Sequence, residues 1–116
     1  KQIKVLLFRQ QPDRKEATDM TKYISDMDTD KMSLTNRERI AEQNDQALFA
    51  DGFDEAMVGM DAVRGRAIYD YMICAKILMD RDNMSEEEAH EYMEFNVVTA
   101  FVGPMTPLFI HPLGSF

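Results

Sequence analysis

The stretch RAIYDYMICAKILMDR, Arg66–Arg81, decides how the chain is read. Ala67, Ile68, Tyr71, Met72, Cys74, Ala75, Ile77, Leu78 and Met79 fall on almost every side of a helical wheel. A helix that is apolar nearly all round belongs in the middle of a domain. The spacing therefore predicts one central helix over 66–81, and the rest of the chain is arranged around it.

Downstream, NMSEEEAHEYMEF (83–95) places five carboxylates and one histidine between Glu86 and Glu94. Ser85 and Glu88 form a helix-start box, in which the serine oxygen caps a free amide and the glutamate reaches back. Met84 stands before it as a staple partner for Ala89. The inward stripe Ala89, Tyr92, Met93, Val97, Ala100 and Phe101 predicts a helix over 85–101, stopped by Gly103-Pro104. With 66–81 it makes a geometric helix–turn–helix spanning about 66–101. Upstream, Thr35 and Glu38 start a helix running to about Ala50 that Asp51-Gly52 ends. Residues 53–61 read as a short helix, and Asp13 with Glu16 opens another reaching Met27. Two apolar runs, Ile3–Phe8 and PLFIHPL (107–113), read as strands that pair and join the termini, with Pro107 and Pro112 holding the second to an edge.

These elements imply a mainly α, single compact domain of four to five helices over residues 1–116, an all-α fold with one short two-stranded β element. The length suits one domain. The apolar share of 45% and the charged share of 29% are ordinary for a globular protein. Cys74 is the sole cysteine, which excludes an internal disulfide framework, and its apolar surroundings mark it as a buried thiol. No apolar run approaches the roughly 18 residues that span a bilayer. No membrane association is expected, and a cytoplasmic setting is.

Charge is unevenly placed. Residues 1–50 carry nine Lys/Arg and nine Asp/Glu, while 51–116 carry four against twelve and hold the whole net charge of −8. Nucleic-acid affinity comes mainly from cations neutralising phosphates. Only the first half suits it, and Arg9, Arg14, Lys15, Arg37 and Arg39 are the residues that would contact backbone. The helix–turn–helix itself is wrong for reading bases, because the start of its second helix is Ser-Glu-Glu-Glu.

Glu87, His90, Glu91 and Glu94 share a helix face, and Glu87-x-x-His90 is half of the motif that di-metal bundles use on two helices. With one copy present, the acids are read as first-turn residues that favour the helix dipole. No metal and no cofactor is expected. Asp26-x-Asp28-x-Asp30 opens like a calcium loop, but Lys31 and Arg37 stand where glycine and a bidentate glutamate belong. Asn96 lies on the inward stripe and is assigned, with Ser85 and Glu88, a structural polar role, bonded to backbone, Asp70 or Tyr69. His111 reads as a packed edge residue. No catalytic residue is assigned, since nothing resembles a phosphate loop, a dinucleotide turn or an acid–nucleophile arrangement. Ten methionines fill the core first and suit an adaptable self-association surface second.

The helix AIYDYMICAKILM with MSEEEAHEYMEFNV and FVGPMTPLF, all within 52–109, resembles a group of small proteins from phages of marine bacteria and ocean metagenomes. The resemblance covers about half the chain and implies phage or marine-microbial origin and, if phage-encoded, the host cytoplasm. It carries no activity and no functional residues. The reading that results is a non-enzymatic intracellular interaction or accessory protein that self-associates as a homodimer or other homo-oligomer, or meets an unidentified protein partner. The alternative is a nucleic-acid-binding protein of helix–turn–helix or winged-helix type.

Overall fold

A computed structural model describes residues 8–10 and 35–116. Within them the order is β1 (Phe8–Gln10), α1 (Asn36–Gln43), β2 (Leu48–Ala50), a 3-10 turn (Asp54–Ala56), β3 (Met57–Met60), β4 (Ala67–Asp70), α2 (Tyr71–Arg81), α3 (Glu86–Tyr92), a π turn (Met93–Val97) and β5 (Leu108–Ile110). The expected mainly α, all-α domain of four to five helices is thereby overturned. The described residues form an α/β arrangement of three α-helices and five strands in two sheets. The helix expected from Asp13 and the Asp26–Asp30 loop lie outside the described residues.

The decisive error falls at Asp70. Residues 66–81 are a strand followed by a helix, and two periods overlap in one apolar run. Ala67 and Tyr69 are buried while Ile68 and Asp70 are half-buried, a period of two. From Tyr71 onward the buried residues are Tyr71, Cys74, Ala75 and Leu78, the spacing of one helical face. Summed over one wheel, the two patterns mimic a helix that is apolar all round. Asp70 makes the junction: its extended backbone ends β4, and its Oδ1 accepts from the amides of Met72 at 2.9 Å and Ile73 at 3.2 Å. Such a cap is worth ~1 kcal/mol. Met72, Ile73 and Met79 face outward, so α2 is amphipathic and not central on all sides.

The same kind of correction applies upstream. The helix begins where expected, with the reciprocal box of Thr35 and Glu38 in place. It ends at Gln43 and not near Ala50, because Asn44 turns the chain. Asn44 Oδ1 accepts from the amide of Gln46 at 3.1 Å, a side-chain mimic of a backbone turn. Its Nδ2 donates to the carbonyls of Arg64 and Gly65. Leu48–Ala50 then runs as β2, antiparallel to β1, with Phe8 opposite Ala50. Residues 57–60 are strand, not helix. Gly52 sits at φ +91, as a glycine turn requires, but it follows a strand and not a helix.

The second sheet has the order β3-β4-β5, with β3 antiparallel and β5 parallel to β4. Residues 108–110 are therefore a strand at a sheet edge between Pro107 and Pro112. Its partner among the described residues is β4; of the expected first strand Ile3–Phe8, residues 3–7 lie outside the described residues, and Phe8 pairs with Ala50. Tyr69 links the two sheets: its ring stacks on Phe109 at 5.2 Å, and its hydroxyl accepts from the Ala50 amide at 2.9 Å. Tyr69, Phe49, Phe53, Leu78, Met93, Val97 and Cys74 are the largest fully buried side chains. Burial raises the Tyr69 phenol and pushes the Cys74 thiol up to about 12.

The geometric helix–turn–helix is shorter than 66–101. It comprises α2, a turn holding Asn83 at φ 57, and α3 with its Ser85/Glu88 box formed in both directions. Past Tyr92 the helix widens into the π turn, where the Val98 amide donates to the Met93 carbonyl at 2.8 Å. One extra residue per turn rotates the stripe. Met93 and Val97 stay buried, but Phe101, expected inside, is 79% exposed beyond the helix.

Candidate functional site

Three groups of residues qualify for attention. The first lies at the carboxyl ends of the two parallel strands, the place where ligands bind in open α/β sheets. Asp70 and Ile110 are register partners, so the next residues, Tyr71 and His111, emerge side by side. Their rings meet at 4.5 Å. The Tyr71 hydroxyl donates to Glu94 Oε2 at 2.8 Å and lies 3.2 Å from His90 Nδ1, whose ring stacks at 5.6 Å. With the phenolic proton directed to Glu94, the hydroxyl oxygen can accept from His90 Nδ1 in the tautomer that carries a hydrogen there. Burial first, and the bond to Glu94 second, push the Tyr71 phenol up to about 12. Both histidines of the chain thus converge on Tyr71, and His90 and Glu94 come from α3 and the π turn that continues it, a distortion frequent at functional sites. Sequence reasoning separated these residues. It set His111 at a packed edge, read Tyr71 as mid-helix, and grouped His90 and Glu94 only with their helix neighbours. The readable signal was the pair of histidines with an aromatic residue one step past each strand.

The second group concerns the nominated cations. Arg37 Nε meets Asp54 Oδ1 at 2.7 Å, and its NH2 meets Asp51 Oδ1 at 3.0 Å. Arg9 Nε pairs with Asp51 Oδ2. Burial works against the Arg37 charge, yet the bonds to Asp54 and Asp51 outweigh it and raise its pKa. The guanidinium also lies over the Phe49 ring at 5.3 Å. Arg9 and Arg37 therefore brace β1, α1 and the turn after β2. Arg39 is on the exposed side of α1, away from those pairs, and Arg14 and Lys15 lie outside the described residues.

The third is a groove of about 280 Å³ between α1 and β3, lined by Asn36, Arg39, Ile40, Gln43 and Met57–Met60. Among the described residues Arg39 makes no ion pair, whereas Arg9, Arg37, Arg66 and Arg81 each meet an aspartate. β3 is an edge strand, and its register with β4 slips between Met57 and Gly59, which leaves Val58 as a bulge.

Of the structural polar residues, Ser85 and Glu88 cap α3 as described. Asn96 is half-buried in the π turn. Two of the partners the sequence suggested for it bond to other groups, Asp70 to the α2 amides and Tyr69 to Ala50. Among the described residues no cluster of three or more His, Cys, Asp or Glu is placed to hold a metal ion, and no helix is long and apolar enough to cross a membrane. No protein-family model, no curated protein and no solved structure matches the chain.

Proposed function

We propose that the chain is a non-enzymatic interaction protein that associates with copies of itself inside a cell, of the phage or marine-microbial origin that its resemblance implies. The observation that carries this reading is the apolar groove between α1 and β3, where Ile40, Met57, Val58 and Met60 line one continuous surface. The groove is small and shares its lining with Asn36, Arg39 and Gln43, but its apolar members lie side by side and not scattered singly over the surface. The methionines there suit adaptable contacts.

The chemistry of the other groups points away from catalysis. The Tyr71 proton is committed to Glu94 and held up at about 12, and the Cys74 thiol is buried and raised as far. Neither is an activated nucleophile near neutral pH. Sedimentation velocity over a concentration series tests the reading. A weight-average mass that rises with concentration supports it, and a monomer at the highest attainable concentration defeats it.

The nucleic-acid alternative is weakened by the pairing of Arg9 and Arg37 with Asp51 and Asp54. Phosphate contact by these two arginines would have to displace carboxylates already in place. The exposed start of α3 offers Glu86 and Glu87 instead. A mobility shift at low salt that vanishes by ~0.2 M salt would revive that alternative.

A further inference from the structure

We propose that the groove between α1 and β3 receives Phe95 of a second copy of this chain, with Arg39 on its rim meeting Glu91 beside that ring. The proposal rests on the self-association reading and specifies its two surfaces.

The groove sets the first half of the argument. Ile40, Met57, Val58 and Met60 give it an apolar side, Asn36 and Gln43 add two neutral polar groups, and its one ionic member, Arg39, carries no ion pair among the described residues. An apolar slot with one positive rim selects an apolar group flanked by carboxylates. A chain of net charge −8, with twelve acids in residues 51–116, presents such groups itself.

Symmetric solutions fit poorly. Two grooves placed face to face would set Arg39 against Arg39, a like-charge contact. Strand addition along β3 is blunted by the bulge at Val58, a known device for protecting sheet edges. What remains is insertion of a side chain from a different surface.

Phe95 fits that requirement. It is 76% exposed, and it lies in the π turn on the side away from the buried Met93 and Val97. Glu91 precedes it by four positions and Glu94 adjoins it. The other strongly exposed apolar residues lack this setting. Phe101, Leu113 and Phe116 have no acid within four positions, and Val63 is followed by Arg64. Each copy then carries one plug and one socket. That contact is head-to-tail, and it generates rings or open chains, not only closed dimers.

Sedimentation velocity of the full chain tests this with Phe95→Ser, Met60→Lys, Arg39→Glu, Glu91→Arg and the Arg39→Glu/Glu91→Arg double variant, each checked for an unchanged circular dichroism spectrum. Phe95→Ser and Met60→Lys should each weaken association at least tenfold. The two charge reversals should weaken it several-fold, and the double variant should recover most of the loss. Mixing Phe95→Ser, which keeps the socket, with Met60→Lys, which keeps the plug, should yield a heterodimer that stops growing. If the unmodified chain associates and these variants associate equally well, the proposal is overturned while the self-association reading stands. If the unmodified chain is monomeric throughout, both fall. Should Met60→Lys fail to fold, Val58→Glu, at an exposed position of the same wall, replaces it with the same expectation.

Discussion

At the carboxyl ends of β4 and β5, Tyr71 donates to Glu94, lies against His90 and packs on His111, and its ring is buried. In the groove between α1 and β3, Val58 and Met60 face solvent, and Arg39 makes no ion pair among the described residues. The first region resembles an active site in composition and position, yet its hydrogen bonds are spent on itself. The second contains no unusual chemistry, yet its surface is unfinished. The contrast teaches that residue types point to a site only after their partners have been counted.

Substitutions put this contrast to measurement. The largest effect is expected at Tyr69→Phe, in the committed interior. It strands the buried Ala50 amide, and a buried donor left unmade costs about 1–3 kcal/mol. Chemical denaturation should report it as a lower midpoint with an unchanged slope. Tyr71→Phe removes bonds nearer the surface, and a loss of ~1 kcal/mol is expected by the same measurement. If Tyr71→Phe proved neutral, the cluster would not be structural, and its place in the contrast would be lost.

A smaller, pH-dependent effect belongs to Asp61, which accepts from Arg66 Nε at 2.9 Å and from the amides of Val63 and Arg64, in the turn joining β3 to β4. The bond from Arg66 first, and the Arg64 amide next, bring its carboxyl down from 3.8 to about 2. The folded value is the lower one, so the carboxylate stabilises the fold fully above its unfolded value. That stabilisation is lost as pH falls through about 2. The melting temperature gap between the unmodified chain and Asp61→Asn should be constant near neutrality and close between pH 4 and pH 2. The least effect on stability is expected at Arg39→Glu, within ~0.5 kcal/mol, as for an exposed residue with no ion pair among the described residues. A larger loss of thermal stability there would show that the groove is braced, not open.

The sequence was legible where one residue pair suffices to define a feature. The boxes at Thr35/Glu38 and Ser85/Glu88, the strand between Pro107 and Pro112, the buried Cys74 and the left-handed Gly52 were all readable. It was illegible where two periods share a run. Ile68, Tyr69 and Tyr71 are all good strand formers and also fit a helical stripe. Only the pairing of β4 with β3 and β5 settles which residues extend. Asp70 was legible as a cap in principle, since a short acid before an apolar run is a start signal. It was passed over because the run had already begun. Asn44 was hidden for the same reason. The π turn has no local signature in Met93–Val97, and it displaced Phe101 from the expected inward stripe. The Tyr71 cluster depends on the parallel register of strands far apart in sequence, which no local pattern encodes.

That parallel register also orders the assembly of the molecule in time. β3 and β4 are joined by a short turn, whereas β5 reaches β4 only after residues 71–107 have been gathered. Closing so long a segment costs entropy before any bond repays it, so distant pairings form late. By this reasoning β5 is expected to dock after the β3–β4 hairpin has formed, as is β1, which meets β2 across residues 11–47. Phe109→Leu, which loosens its stack on Tyr69, should speed unfolding and leave the refolding rate nearly untouched; slowed refolding in a stopped-flow experiment would place β5 in the folding nucleus instead.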